Sequence, residues 1–288
     1  MKKVLLFISL LCASGLAQAQ KVVEPNTSKH PEWSKPYPPF QIAGNLYYVG
    51  TYDLGCYLIV TPKGNILINT GLAASAPLIK KSVETLGFKF SDIKILLTTQ
   101  AHFDHMGAMA TVKKMTGAKL MVDAGDAQVL SDGGRSDYAM GGTVSVYQPV
   151  KADQLLHNGD TVKLGGMNLL MLHHPGHTKG SCSFLFDVKD SRRKYRVLIA
   201  NMPTIITDQK FSEVTAYPNI QKDYAYTLNS LKHLHFDIWL ATHGSQFDLL
   251  KKHKPGSAYN PAAFIDKKGY YTELDGLQKE FNKKVSGK

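Results

Sequence analysis

Residues 96–120 read "LLTTQAHFDHMGAMATVKKMTGAKL", and this stretch decides how the rest of the chain is understood. The run "IKILLTT" (93–99) is apolar and threonine-rich, which predicts a buried strand. Residues 105–117 predict a helix closed by Gly117, and "AKLMVD" (118–123) predicts a second strand. Between strand and helix stand Gln100, His102, Asp104 and His105. Residues i and i+2 of extended chain point the same way, so Gln100 and His102 can face one point. Asp104 and His105, in the turn that follows, can face a second point close by. Imidazole and carboxylate together suit zinc, which takes about four ligands in tetrahedral array. Gln100 is the odd member, because an amide offers only a neutral oxygen or its N–H donors.

Two further histidines complete the constellation. His177 lies in "HHPGHTKGS" (173–181), where Pro175 and Gly176 form a tight turn able to aim it. His243 lies in "WLATHG" (239–244), at the end of a strand-like run. A lone histidine is more often surface or core than ligand, so His30, His157, His233, His235 and His253 are set aside. His173 and His174 read as packing or supporting residues.

The surrounding pattern alternates strands and helices. Residues 20–40 are rich in proline and polar residues and read as an extended N-terminal arm, followed by a single domain over 41–288. Strand-like runs occur at 45–50, 56–60 and 65–71, the last two joined by a turn at Pro62-Lys63-Gly64. A helix is predicted over 75–87, and a mobile glycine-containing loop over 131–150. Strands return at 161–173, 181–188 and 195–201, then a helix at 223–234, a strand at 236–244, and helices at 260–266 and 273–284. This order suggests two sheets packed face to face with helices outside.

Composition narrows the class. The 288 residues, 43% of them hydrophobic, can bury a sizeable core. Lys2 and Lys3, an apolar run from Val4 to Leu11, and Ala17-Gln18-Ala19 form a secretory signal peptide over 1–19, which predicts export to the periplasm. That run is too short to span a bilayer, and Leu11 before Cys12 does not suit lipid attachment, so no stable membrane association is expected. The formal net charge is +11, with lysines scattered and no aromatic platform among them, which argues against a nucleic-acid partner. Cys56 and Cys182 remain after cleavage, and either one disulfide or two buried thiols would satisfy the sequence.

"AHFDHMG", "PGHTKGS" and "ATHG" together resemble the metallo-β-lactamase superfamily, whose first motif is H-x-H-x-D-H. The resemblance covers nearly all of the mature chain and implies an αββα four-layer sandwich with zinc at one edge. It also implies the ligands: Gln100, His102 and His177 for one zinc, and Asp104, His105 and His243 for the other. Gln100 stands where the superfamily has histidine, as in the glutamine-bearing (GOB-like) branch of subclass B3. Asn69 in "INTG" (68–71) stands where many relatives have aspartate. The amide makes the Gln100 site the weaker one, so one or two zinc ions per chain are expected, with Asp104, His105 and His243 filled first.

The superfamily also holds lactonases and thioesterases. Export suits a β-lactamase, and "VLIANMP" (197–203) places Asn201-Met202 where many dinuclear relatives carry a bridging aspartate. The resemblance therefore implies a monomeric hydrolase of penicillins, cephalosporins and carbapenems that confers antibiotic resistance. Asp104 would be both ligand and orienter of the attacking water, while Thr204, Met202 and the loop 131–150 are candidates for substrate contact, Met202 also reading as a gap-filling side chain because a thioether is a weak zinc ligand. The rival readings are another exported metallohydrolase of this fold and a zinc-binding protein without catalysis.

Overall fold

The structure is a computed structural model that describes residues 21–287. The signal peptide, Gln20 and Cys12 lie outside the described residues.

Strand β4 (Gly64–Ile68) shows how the layers arise. Ile66 and Ile68 enter one hydrophobic cluster, and Leu67 between them enters another on the opposite face. The neighbouring parallel strand β5 (Ile93–Leu97) repeats the pattern with Ile95 and Leu97 against Leu96. Side chains alternate across a strand, so continuous apolar runs mark a sheet covered on both faces.

The first sheet has seven strands in chain order. These are β1 (Phe40–Ala43), β2 (Leu46–Tyr48), β3 (Tyr57–Thr61), β4, β5, β6 (Lys119–Asp123) and β7 (Gln154–Leu156). Pairing is antiparallel as far as β4 and parallel beyond it. The second sheet has five strands. Its order is β12 (Ile238–Ala241), β11 (Lys194–Ala200), β10 (Cys182–Lys189), β9 (Met167–His173) and β8 (Thr161–Leu164). There only β11 and β12 run parallel.

Helices α1 (Ala76–Thr85) and α3 (Met109–Thr116) cover the outer face of the first sheet through Ile79, Val83, Met109 and Val112. Helices α5 (Ile220–Lys232) and α7 (Lys267–Ser286) cover the second, and the short α6 (Leu249–Lys252) lies between them in the chain. Tyr270, Leu274, Leu277 and Phe281 of α7 form one buried stripe at helical spacing. Burying each such side chain contributes roughly 1.5–3 kcal/mol. The result is the αββα sandwich expected from the sequence.

Several elements depart from expectation. The predicted helix at 105–117 is two helices, a short α2 (Phe103–Met106) and α3. The break falls at Gly107, where a Cβ would lie 2.4 Å from the Ala73 nitrogen, so only glycine lets the two backbones pass. The run 161–173 is a hairpin, turned at Gly165 and Gly166 with φ of 52° and 93°. The predicted helix at 260–266 is a 3-10 turn, Pro261–Phe264. Helix α7 begins before residue 273 because the Asp266 side chain accepts the Gly269 N–H at 2.7 Å and caps it. Helix α4 (Ala127–Ser131) and β7 were not anticipated.

The loop 131–150 is irregular but pinned. Tyr147 donates to the Ala101 carbonyl at 2.8 Å, and the Asp137 carboxylate accepts the Ala139 and Met140 N–H groups. The arm is also docked, through a Pro31–Trp33 3-10 turn, a Pro36–Thr51 bridge, and the Tyr52 N–H on the Lys35 carbonyl at 3.0 Å. Cys56 and Cys182 are both buried and unpaired.

Candidate metal centre

The predicted ligands sit where strands end along one edge of the sandwich. β5 leads into Gln100 and His102, α2 carries Asp104 and His105, the turn between β9 and β10 carries His177, and His243 follows β12. Asn69, at the end of β4, is fully buried with φ of 63°. Its amide oxygen accepts the Thr99 N–H at 3.0 Å and the Thr99 hydroxyl at 3.1 Å, and its N–H donates to the Gly55 carbonyl at 3.3 Å. These bonds set the path of the chain just before Gln100. Gly176, with φ of 130°, turns the backbone to present His177.

One half of the site is built on Asp104. Its Oδ2 lies 3.1 Å from His105 Nε2 and 3.3 Å from His243 Nε2, and one ligand atom from each of the three residues falls within 4.8 Å of the others. Both His105 ring nitrogens are buried without a hydrogen-bond partner. The 3.1 Å contact to Asp104 therefore lacks the alignment of a hydrogen bond. Buried polar groups are nearly always satisfied, and a cation beside Asp104 would satisfy this one. One carboxylate and two imidazoles fit zinc.

The other half is built on His102 and His177. His102 Nδ1 lies 3.1 Å from His177 Nε2. His177 Nδ1 donates to the Thr204 carbonyl at 2.8 Å, so Nε2 carries the lone pair. His102 Nε2 points at Asp137 Oδ2, 3.4 Å away. Outer bonds of this kind fix the tautomer and orientation of a metal ligand. Gln100 is held differently. Asn201 donates its amide N–H to the Thr99 carbonyl at 2.7 Å and to Gln100 Oε1 at 3.3 Å. A carbonyl only accepts, so the Asn201 orientation is settled and Gln100 presents oxygen to it, keeping one lone pair.

Electrostatics support both halves. Burial works against the Asp104 charge, yet His105 and His243 beside it hold its carboxyl well below the usual range. Burial lowers His243, but Asp104 and Asp53 overcome it and bring the metal-free imidazole to about 9. Burial together with nearby His102 holds His177 at about 3.

Two sequence assignments change. Met202 is 1% exposed and packs in the core, so it fills space and offers no surface to a substrate. Thr204 is next to the site, but its hydroxyl lies 3.0 Å from His177 Nδ1 and its carbonyl accepts from the same nitrogen and from Tyr224. It positions His177. His173 bonds Asp123 at 2.8 Å and His174 bonds Ser183 at 2.7 Å, in supporting roles, while His157 is exposed.

Sequence reasoning missed Trp33, Asp53, Asp126 and Asp137. Asp126 ties the two ligand-bearing loops together, accepting the Ala101 N–H, the Thr178 hydroxyl and the Gly180 N–H at 2.8, 2.8 and 2.7 Å. None of the four lies in a pattern that marks it.

An αββα sandwich with these donors at its edge defines a metallohydrolase. The family model that matches residues 56–190 is described as the metallo-beta-lactamase superfamily. The class B3 di-zinc metallo-β-lactamase LRA-12 from an Alaskan soil metagenome is 65% identical, with a TM-score of 0.90 over 92% of this chain and 100% of that one. The metallo-β-lactamase GOB-18 from Elizabethkingia meningoseptica is 58% identical, with a TM-score of 0.92 over 94% and 100%. A hydroxyacylglutathione hydrolase from Rhodopseudomonas palustris (strain BisB5) is 28% identical over 46% of this chain and 42% of its own length. The chain spans about half the length of the curated relatives it matches. It belongs to class B3 of the metallo-β-lactamase superfamily.

Proposed function

We propose that this chain is a zinc-dependent β-lactamase, hydrolysing the amide bond of penicillins, cephalosporins and carbapenems and so conferring antibiotic resistance. The observation that carries the reading is the cluster of Asp104, His105 and His243, with both His105 nitrogens unpartnered. It sits in a chain 65% identical to a class B3 enzyme. Asp104, His105 and His243 would hold one zinc, and Gln100, His102 and His177 a second.

Zinc bound there supplies Lewis acidity and lowers the pKa of coordinated water to about 7. The chain's own residues do the rest. Asp104, ionised at neutral pH, accepts a hydrogen bond from the attacking water and orients it toward the β-lactam carbonyl. His102 and His177 are held by Asp137 and Thr204, so their inner nitrogens need no reorganisation during turnover. Asn201 stands where a bridging carboxylate would bring negative charge, and it holds Gln100 instead.

The likeness to a hydroxyacylglutathione hydrolase raises thioester hydrolysis as a second reading, on a weaker and shorter match. The test is purified protein assayed with a chromogenic cephalosporin and with a glutathione thioester. Cephalosporin turnover that a strong chelator abolishes and zinc restores is the expected result. Thioester turnover alone would replace the reading, and full activity in metal-free protein would end it. Residues 1–19 support export to the periplasm, and no helix among the described residues is long and apolar enough to cross a membrane. A monomer acting on small β-lactams completes the proposal.

A further inference from the structure

The N-terminal arm reaches the metal centre through one carboxylate. Asp53 is buried at 8% exposure, and three donors from two segments, the arm and the turn after β12, converge on it. Oδ2 accepts His243 Nδ1 at 2.9 Å and Trp33 Nε1 at 3.0 Å, and Oδ1 accepts the Ser245 N–H at 2.7 Å. The Trp33 ring also lies against the His243 ring, with centroids 5.6 Å apart, and against Phe103 of α2 at 6.2 Å. His30 stacks on the indole at 4.4 Å. An extended arm that served only as a tether would not need an indole N–H placed on a carboxylate beside a ligand histidine.

We propose that Trp33 is a positioning residue for the metal centre. It fixes the Asp53 carboxylate from the arm side, Asp53 fixes the ring plane and tautomer of His243, and arm docking and zinc binding are thereby coupled. The warrant is geometric. His243 is a strand-end residue, and in a site that closes from several separate loops a ligand ring left to rotate loses affinity. Carboxylates outside the ligand set that hold a ligand histidine typically change metal affinity by about 10–100-fold. Trp33 acts one bond further out, and a smaller factor, roughly three- to tenfold, is expected from it. Linkage makes the effect reciprocal: if the docked arm tightens zinc, zinc must tighten the docked arm by the same factor.

This inference rests on zinc occupying the Asp104, His105 and His243 site. The experiment uses the full mature chain as wild type, Trp33→Phe, Asp53→Asn and the double variant. Trp33→Phe keeps an aromatic ring against His243 and removes the N–H. Zinc affinity is read by competition with a chromophoric chelator, and the ligand field by the visible spectrum of the cobalt-loaded protein. The metal-free melting temperature reports the fold. Amide exchange at Trp33, Ser34 and Tyr52, whose N–H groups bond within or onto the arm, is compared with and without zinc.

The expected result is weaker zinc binding in Trp33→Phe at nearly unchanged metal-free melting temperature, with a shifted cobalt spectrum. Adding Trp33→Phe to Asp53→Asn should cost nothing more, because the effect runs through Asp53. Zinc should slow exchange at the three arm amides. Unchanged zinc affinity in Trp33→Phe, or arm exchange indifferent to zinc, overturns the proposal while leaving the zinc assignment standing. Wild-type protein that binds no zinc overturns both.

Discussion

Replacing Asp126 by alanine should loosen the metal centre without touching a ligand. The carboxylate is buried at 1% exposure and accepts three donors, the Ala101 N–H, the Thr178 hydroxyl and the Gly180 N–H, at 2.7–2.8 Å. Burial pushes its carboxyl up to about 6, against the pull of Thr178 and Gly180, so it is still ionised at neutral pH. Alanine would strand two backbone N–H groups, while the Thr178 hydroxyl keeps Ser181 Oγ at 2.8 Å. Each buried donor left unsatisfied costs about 1–3 kcal/mol, so the loss should be near 2–6 kcal/mol. For a domain of this size that is a fall in melting temperature of roughly 4–24 °C. Asp126→Asn keeps an oxygen for Ala101 and Thr178 but sets an N–H against Gly180, and should lose about 1–3 kcal/mol. The assay is thermal unfolding of metal-free protein followed by circular dichroism, with zinc affinity measured at a temperature where all variants are folded. Both variants should bind zinc more weakly, because Ala101 adjoins His102 and Thr178 adjoins His177. A fall of under about 2 °C for Asp126→Ala, or an asparagine variant as unstable as the alanine one, would refute the reasoning.

Asp104→Ala should lower kcat/KM at saturating zinc by about a thousandfold or more, a cost of roughly 4 kcal/mol in transition-state stabilisation, while His157→Ala stays within about twofold. Steady-state kinetics on one cephalosporin separates them. Gln100→His offers an imidazole where the wild type has an amide, and Asn201 keeps the Thr99 carbonyl as acceptor. Titrating zinc into metal-free protein should show the second ion bound at least about tenfold tighter, roughly 1.4 kcal/mol, and unchanged affinity would count against Gln100 as a ligand. Burial holds His174 at about 3 against an ordinary 6.5, so the unfolded chain binds the extra proton between those values. Stability present above about pH 6.5 should therefore fall as the pH drops toward 3, by up to about 1.4 kcal/mol per unit, and the slope should flatten in His174→Gln.

The candidate cluster stood out in the sequence because its chemistry is local. His102, Asp104 and His105 fall within four residues, and no packing rule asks for that trio at a strand end. The sandwich was legible too, since doubly buried strands such as β4 and β5 read as unbroken apolar runs. What was not legible is what holds the ligands. Asp53 meets His243 across 190 positions and Asp137 meets His102 across 35, and each is a single acid in an ordinary loop. Thr204 and Met202 carry no sequence signal that separates substrate contact from support. Only packing reveals that one supports His177 and the other lies in the core. The need for glycine at 107 comes from the close backbone approach of Leu72 and Ala73, which no helical period contains.

Asn69 carries a consequence for how freely this protein can diversify. Its position asks three things of one side chain at once. The left-handed backbone at φ of 63° favours glycine, asparagine or aspartate. The Thr99 donors need an acceptor, which removes glycine. The Gly55 carbonyl needs a donor, which removes ionised aspartate. Asparagine meets all three and a protonated aspartate comes nearest to it, so a saturation library at codon 69 should return mainly these two residues. Variation under drug selection has to enter around this position, through loops that neither β4 nor β5 depends on.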